Sequence, residues 1–131
     1  MDAPAVAVSR DGKKLAAAWM DLRAGKNDRQ VFWTVTSAGT FRKETPLADD
    51  PKGQKGHPSI AMDAKGTVHA AWEDARSGTQ RIRYRSSDGM EKDIALSPES
   101  GKASFPSLAC GQVVGVAFEY GGNAVFIAAP R

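Results

Sequence analysis

Apolar and polar positions along the chain follow one pattern three times. In each copy a proline leads a short apolar strand, a turn containing glycine follows, and a second strand of small apolar residues ends in an aromatic residue. The copies run from Pro4 through Gly12 to Trp19, from Pro58 through Gly66 to Trp72, and from Pro106 through Gly111 to Phe118. The prolines lie 54 and 48 residues apart, and the aromatic residues 53 and 46. Self-similarity at this period predicts an array of stacked units.

Local composition predicts four strands in each unit. The turn glycines Gly12, Gly66 and Gly111 are expected to supply the positive φ of a tight hairpin. The second strand is apolar on both faces, which indicates burial on both sides. A longer third strand and a weak, polar fourth strand follow, the latter at 41–47 and 94–97 in the first two units, as suits an exposed sheet edge. No stretch has helical periodicity, so we expect no helices.

These units predict an all-β chain of about three four-stranded antiparallel β-propeller blades. Residues 1–131 form one propeller segment, with blade 1 at 1–50, blade 2 at 55–100 and blade 3, which lacks an outer strand, at 103–131. The aromatic residue of each copy is expected at an equivalent buried position between blades. A β-sandwich of about ten short strands is the competing fold, but it would not need the same pattern three times in register.

Composition and charge exclude few function classes. Apolar residues make up 41% of the chain and charged residues 25%, which is ordinary for one globular domain. The net charge of +3 is mild, and Arg81, Arg83 and Arg85, which alternate along one strand, are interpreted as a solvated outer face. No apolar run approaches the roughly 20 residues that span a bilayer, and Met1–Pro4 has no signal-peptide character. We therefore expect no nucleic-acid partner and no membrane partner.

Cysteine and histidine give no metal or cofactor motif. Cys110 is the single cysteine of the sequence and is expected to behave as a small buried hydrophobic residue. His69 lies in an inner strand and is expected in the core, whereas His57, just before Pro58, is either a turn residue or a ligand contact. The two histidines lack His-x-His or Glu-x-x-His spacing, so we expect no metal and no cofactor.

Two further motifs carry a resemblance to a known family. Residues 19–25 and 72–78 share the pattern W-x-D-x-R-x-G, and the segments 36–41 and 86–89 lie between the third and fourth strands of their units. The latter resemble degraded Asp-boxes, the S-x-D-x-G-x-x-W hairpins of the sialidase-like (BNR-repeat) six-bladed propellers. The first has Ala38 near the place of the aspartate. In the second, Asp88 is interpreted as a structural carboxylate that accepts backbone N–H groups.

The resemblance implies a ligand-binding side at the turns between second and third strands, where Lys55 is expected to join the basic residues. An anionic glycan is the first ligand to test. The candidate ligand-binding residues are Arg23, Arg76, His57, Glu119 and Tyr120. For the two arginines the alternative is an Asp–Arg pair that braces a glycine turn. Export to the periplasm or the cell exterior is implied by the resemblance alone.

The catalytic features of sialidases are incomplete in this sequence. The family's Arg-Ile-Pro signature is absent, and no acid–nucleophile pair can be identified, so we predict no catalytic residue. The sequence favours a non-catalytic module for ligand or protein binding, or for scaffolding. The alternative is a fragment of a sialidase-type glycoside hydrolase.

Three units are half of the six that the resemblance implies. An open half-ring exposes an apolar blade face at each end, which an isolated monomer tolerates poorly. Either the sequence belongs to a longer propeller, or two copies pair head to tail. We predict a homodimer that closes a six-bladed ring, with the first unit of each copy packed on the third unit of the other.

Overall fold

The computed structural model describes residues 2–129, and these residues form strands joined by turns and short connections. The strands are β1 (Ala5–Val8), β2 (Leu15–Asp21), β3 (Gln30–Ser37), β4 (Thr40–Phe41), β5 (Thr45–Pro46), β6 (Lys55–Met62), β7 (Val68–Asp74), β8 (Arg81–Ser86), β9 (Ile94–Ala95), β10 (Ala103–Cys110), β11 (Val114–Tyr120) and β12 (Asn123–Ala128). No helix occurs within 2–129, which confirms the all-β prediction. This part of the chain accordingly holds no helix that could cross a membrane.

The strands form three antiparallel sheets in chain order. Sheet 1 has the order β1-β2-β3-β4 with β5 also paired to β3, sheet 2 the order β6-β7-β8-β9, and sheet 3 the order β10-β11-β12. The fourth strand predicted at 41–47 is instead two short strands that pair with different parts of β3, and between them the Thr34 hydroxyl donates to the Arg42 carbonyl. The sheets resemble blades, but they do not close into a ring.

The turn between the first two strands of each sheet follows the prediction in two cases. Gly12 has φ 73° and Gly66 has φ 81°, a left-handed conformation that glycine adopts without a Cβ clash. Gly111 does not have a positive φ, so the prediction for the third turn is wrong. There the Gly111 N–H donates to the Val113 carbonyl at 2.8 Å, and the turn has a different shape.

Sheet 2 lies between sheets 1 and 3 and contributes to two hydrophobic clusters. One cluster fills the space between sheets 1 and 2, and the other the space between sheets 2 and 3. Successive residues of β7 face opposite sides, so Ala70 and Trp72 enter the first cluster and Ala71 enters the second. Every residue of β7 is buried. The prediction that the second strand is buried on both faces is confirmed for β7 but is wrong for β2 and β11, in which fully buried residues lie on one face only.

The three aromatic residues that end the second strands occupy the same register position. Trp72 is 0% exposed and Phe118 is 3% exposed, each on the face of its sheet that is turned toward the preceding sheet. Trp19 lies on the corresponding face of sheet 1, where no described sheet precedes it, and is half-buried against the Phe32 ring. The prediction of burial is therefore correct for Trp72 and Phe118 and wrong for Trp19.

Two sheet faces have no neighbour among the described residues. Residues opposite each other in an antiparallel pair point to the same side. The leading face, on sheet 1, therefore combines Trp19 and Phe32 with Val6 and Val8, which are 64% and 52% exposed. The trailing face, on sheet 3, is formed by residues with small side chains and one phenylalanine, which is 78% exposed: Ala109, Gly115, Ala117, Ala128 and Phe126.

The sequence predicts that the alternating arginines of β8 form a solvated outer face. The structure shows that this prediction is wrong. All three are half-buried, because the face that carries Arg83 and Arg85 is turned toward sheet 1. The Arg83 guanidinium bonds to Asp93, and the Arg85 guanidinium donates to the Leu47 carbonyl at 3.1 Å. These side chains join neighbouring segments of the fold.

Candidate functional site

The turns between second and third strands lie at one end of each sheet, here called the turn end: residues 22–29, 75–80 and 121–122. In the first two, the W-x-D-x-R-x-G motif has the same geometry. Asp21 accepts the Trp19 indole N–H at 3.2 Å and the Arg23 backbone N–H at 2.7 Å, and it pairs with the Arg23 guanidinium at 2.7 Å. We call this arrangement the Asp–Arg turn. It confirms the predicted Asp–Arg pair that braces a glycine turn.

The second Asp–Arg turn is tied into a larger buried network. Asp74 accepts the Trp72 indole N–H at 3.1 Å and pairs with Arg76 at 2.7 Å. The Arg76 guanidinium also pairs with Asp49 at 2.8 Å and Asp93 at 2.9 Å, and its side chain is only 13% exposed. Three carboxylates thus occupy this guanidinium, which joins the β5–β6 connection to sheet 2.

Burial and ion pairing act in opposite directions in this network. Burial raises the pKa of the Asp74 carboxyl, but hydrogen bonds from Arg76 and Trp72 outweigh it, so that the pKa lies below its ordinary value. Burial likewise lowers the pKa of Arg76, but its bonds to Asp74 and Asp93 outweigh this and raise it. The charged form of each group is therefore the stable one in the folded chain.

Arg23 is more open than Arg76. Its side chain is 47% exposed, it pairs with Glu44 at 2.9 Å as well as with Asp21, and its guanidinium lies 4.1 Å from the centre of the Phe32 ring. The Arg23 hydrogen bond lowers the pKa of Asp21 to about 2. Arg23 lies on sheet 1 at the edge of the leading face, whereas Arg76 lies within the network of sheet 2.

We expect from the sequence that Lys55 joins the two arginines on an exposed surface. This prediction is wrong. Lys55 is 1% exposed, and its ammonium group donates to the Lys52 carbonyl at 2.7 Å and the Gly53 carbonyl at 3.0 Å. Burial lowers the pKa of this ammonium group. Its position makes Lys55 a support for the connection before β6.

His57 lies at the bulge near the start of β6 and has an unusual backbone. Its φ is 45°, a left-handed value that is uncommon for a residue other than glycine. Its Nδ1 is 2.8 Å from Glu73 Oε1 and its Nε2 is 3.3 Å from Asp2 Oδ1. The Asp2 carboxylate also accepts the His57 backbone N–H at 2.7 Å. Two carboxylates therefore hold both the ring and the backbone of His57.

Phe105 is a site residue that the sequence reasoning missed. It occupies in β10 the place of His57 in β6, with φ 55°, and Glu73 accepts its backbone N–H at 2.7 Å. Its ring is 58% exposed and meets the His57 ring edge-on at 5.1 Å between centroids. The signal was present in the repeat, since each of the two residues directly precedes a repeat proline.

Phe105 lines a cleft at the turn end of sheet 3, and two predicted residues share it. The cleft has a volume of about 500 Å³ and is lined by Lys102, Ser104, Phe105, Glu119, Tyr120 and the glycines at 101, 121 and 122. The Tyr120 hydroxyl donates to the Ser100 carbonyl, which fixes the ring at the cleft wall. Thus His57, Glu119 and Tyr120 gather around Phe105, while Arg23 and Arg76 lie in their own Asp–Arg turns.

The remaining candidates have structural surroundings. His69 is 4% exposed and lies 2.6 Å from the Tyr84 hydroxyl and 2.9 Å from Asp63, which confirms its core position. Cys110 is half-buried and packs against the cluster between sheets 2 and 3. Residues 2–129 contain no group of three or more histidine, cysteine, aspartate or glutamate side chains that could hold a metal ion.

The predicted turn carboxylate Asp88 is exposed, and its backbone N–H donates to the Ser86 hydroxyl at 3.4 Å. A carboxylate does hold a hairpin elsewhere in sheet 2. Asp63 accepts the backbone N–H groups of Lys65 at 2.9 Å and Thr67 at 3.0 Å in the β6–β7 turn. A structural role for Asp88 of that kind stays a prediction.

Comparison with known proteins adds no assignment. No family model matches the sequence, and a search of curated proteins found no match.

Proposed function

We propose that the chain is a non-catalytic β-propeller segment of sialidase-like type that binds a ligand at the cleft beside Phe105. The observation that carries this proposal is a difference between repeats. Two turns at the turn end are closed by an Asp–Arg pair, whereas the third has Tyr120, Gly121 and Gly122 in the corresponding stretch. The turn without the ion pair is the one that borders the cleft.

The chemistry of the cleft suits an anionic sugar. The exposed Phe105 ring and the Tyr120 ring offer apolar surface against which a pyranose can pack. Lys102 supplies a positive charge to a carboxylate, and Ser104 supplies a hydroxyl for hydrogen bonding. The left-handed backbone of Phe105, held by Glu73, keeps the ring in place before a ligand arrives.

The same cleft lacks the groups for glycoside hydrolysis. A retaining mechanism uses two carboxyl groups about 5–5.5 Å apart. Among the described residues that line the cleft, Glu119 is the acidic one. The neighbouring Glu73 binds His57 and the Phe105 backbone with its two oxygens, so it is already engaged. These contacts support binding over catalysis.

The test is a titration of the chain with 3′-sialyllactose, followed by chemical-shift changes in NMR spectra. Phe105→Asn removes the ring yet suits a left-handed backbone, and should abolish the changes near residues 101–105 and 119–122. Phe41→Asn is the control, because Phe41 is also exposed, at 49%, but lies in β4. Lys102→Ala should weaken binding by about tenfold, the size of one charged hydrogen bond.

Turnover is measured on the same proteins with a fluorogenic sialoside, and none is expected. Turnover that disappears in Phe105→Asn would instead identify a sialidase-type hydrolase. Shift changes that persist unaltered in Phe105→Asn would place the ligand elsewhere and refute the proposed site.

A further inference from the structure

We infer that two copies of this chain pair, with the leading face of one copy packed on the trailing face of the other. Sheet 1 of the second copy then packs on sheet 3 of the first copy in the same way that sheet 3 packs on sheet 2 within one chain. Two copies that each present both faces can pair twice and close on a two-fold axis. Three features favour this pairing: the side chains of the two faces, a carboxylate at their edge, and the exposed area. It does not require the cleft to bind a ligand.

The two free faces repeat the side-chain pattern of the two buried contacts. In each buried contact, an aromatic residue from the later sheet, Trp72 or Phe118, enters a cluster to which the earlier sheet contributes alanines. These alanines are Ala16 and Ala18 of β2 in the first contact and Ala61 and Ala71 of β6 and β7 in the second. The leading face offers Trp19 in the same register, and the trailing face offers Ala109 and Ala117. One free face is therefore complementary to the other.

Glu119 is placed to make the same polar contact between sheets that Glu73 makes within the chain. In β7, Glu73 lies opposite Gly56 and reaches across to sheet 3, where it accepts the backbone N–H of the residue before Pro106. Glu119 lies in the same register, opposite Ser104. The Glu119 side chain is exposed, and none of the hydrogen bonds or ion pairs found among residues 2–129 engages its carboxylate.

The matching donor is Ala3. It precedes Pro4 as Phe105 precedes Pro106. In the paired arrangement, Glu119 of one copy accepts the Ala3 backbone N–H of the other. The contact between sheets 2 and 3 thereby recurs between the two copies.

The exposed area is larger than a compact chain of this mass would have. The accessible surface is 7394 Å². A compact monomer of 13.9 kDa exposes about 6,700 Å². The surplus of about 700 Å² is close to the roughly 800 Å² that each partner contributes to a standard stable interface. The open stack thus leaves about one partner's share of a dimer interface exposed.

The experiment is sedimentation velocity at micromolar concentration, with charged variants on each face. We expect a species of twice the chain mass of 13.9 kDa. Val6→Glu on the leading face and Phe126→Glu on the trailing face should each give monomers. Val113→Glu is the matched control and should stay dimeric, since Val113 is 65% exposed against 64% for Val6 but lies in the β10–β11 connection. Circular dichroism verifies that all variants keep their sheets.

Mixing the two face variants tests which face meets which. The Val6→Glu chain keeps its trailing face and the Phe126→Glu chain keeps its leading face, so the mixture should form a heterodimer although each variant alone is monomeric. Pairing of leading face with leading face would instead leave Phe126→Glu dimeric, and that result would overturn the inference. A wild-type monomer, or a mass that grows continuously with concentration, would overturn it as well.

The carboxylate contact has its own test. Glu119→Ala should raise the dissociation constant of the dimer by about a hundredfold, because the two-fold dimer loses two charge-assisted hydrogen bonds that contribute about tenfold each. Glu119→Gln keeps an acceptor oxygen and should have a smaller effect. Glu99→Ala, an exposed change in the β9–β10 connection, should have none. Equal dissociation constants for Glu119→Ala and Glu99→Ala would refute the role of Glu119.

Discussion

Replacing Trp72 by alanine removes the largest fully buried side chain of the fold from the space between sheets 1 and 2. A buried tryptophan covers about 150–250 Å². At about 25 cal/mol per Å² this corresponds to about 4–6 kcal/mol. Alanine retains part of that area, so we expect the free energy of unfolding to fall by about 3–5 kcal/mol, the range measured for large aromatic core residues.

Trp19→Ala is the matched comparison, because the two tryptophans differ mainly in what covers them. Each indole N–H donates to the aspartate two residues further on, at 3.2 Å for Trp19 and 3.1 Å for Trp72, so the lost hydrogen bond is the same. Trp19 is half-buried and packs on Phe32 within its own sheet. We expect Trp19→Ala to cost about 1.5–2.5 kcal/mol in a monomer, roughly half the loss expected for Trp72→Ala.

Urea denaturation measures both costs, at a protein concentration where sedimentation shows the monomer. The free energy of unfolding comes from linear extrapolation, with unchanged slopes as the check that both variants unfold in one transition. A difference of about 1.5–2.5 kcal/mol between the variants is the expected result. Equal losses in the free energy of unfolding would refute the reasoning, since they would show that coverage by sheet 1 adds nothing to the stabilisation that Trp72 provides.

Two further predictions concern the turns. Gly53 has φ 80° and a Cβ there would lie 2.6 Å from the Arg76 backbone, so Gly53→Ala should lower the unfolding free energy by about 3 kcal/mol or more in urea denaturation. Gly12→Ala, at φ 73° in open space, should cost only about 1–2 kcal/mol; equal losses would contradict the close approach. Arg23 lowers the pKa of Asp21 to about 2. Because the unfolded value is about 3.9, this stabilisation is complete above about pH 4 and is lost as the pH falls toward 2. Asp21→Asn should flatten that part of the curve of unfolding free energy against pH, and an unchanged curve would exclude this contribution.

Features set by neighbours in the sequence were predictable. The Asp–Arg turns follow from residues two positions apart, such as Asp21 and Arg23, and the motif predicted their pairing. Gly12 and Gly66 have the positive φ that their hairpins require. The repeat also predicted consecutive antiparallel sheets and equivalent register positions for the terminal aromatic residues.

Features set by distant contacts were not predictable. A residue before proline is normally kept in the extended region, yet His57 and Phe105 have positive φ. Their backbone N–H groups bond to Asp2 and Glu73, which are 55 and 32 residues away in the sequence. The repeat marks the position of Phe105, but the exposure of its ring depends on the second of these contacts, which no local pattern indicated.

The bond between Asp2 and His57 has a consequence for the modularity of the repeats. In β2, Met20 occupies the position of Glu73, and a thioether is a weaker acceptor for a backbone N–H than a carboxylate. Asp2, from outside the strand, accepts the His57 N–H instead. A substitution in one repeat is thus compensated by a residue elsewhere in the same repeat. The repeats are therefore not interchangeable cassettes: a chimera with the first β2 in place of β7 would leave the Phe105 N–H without its acceptor.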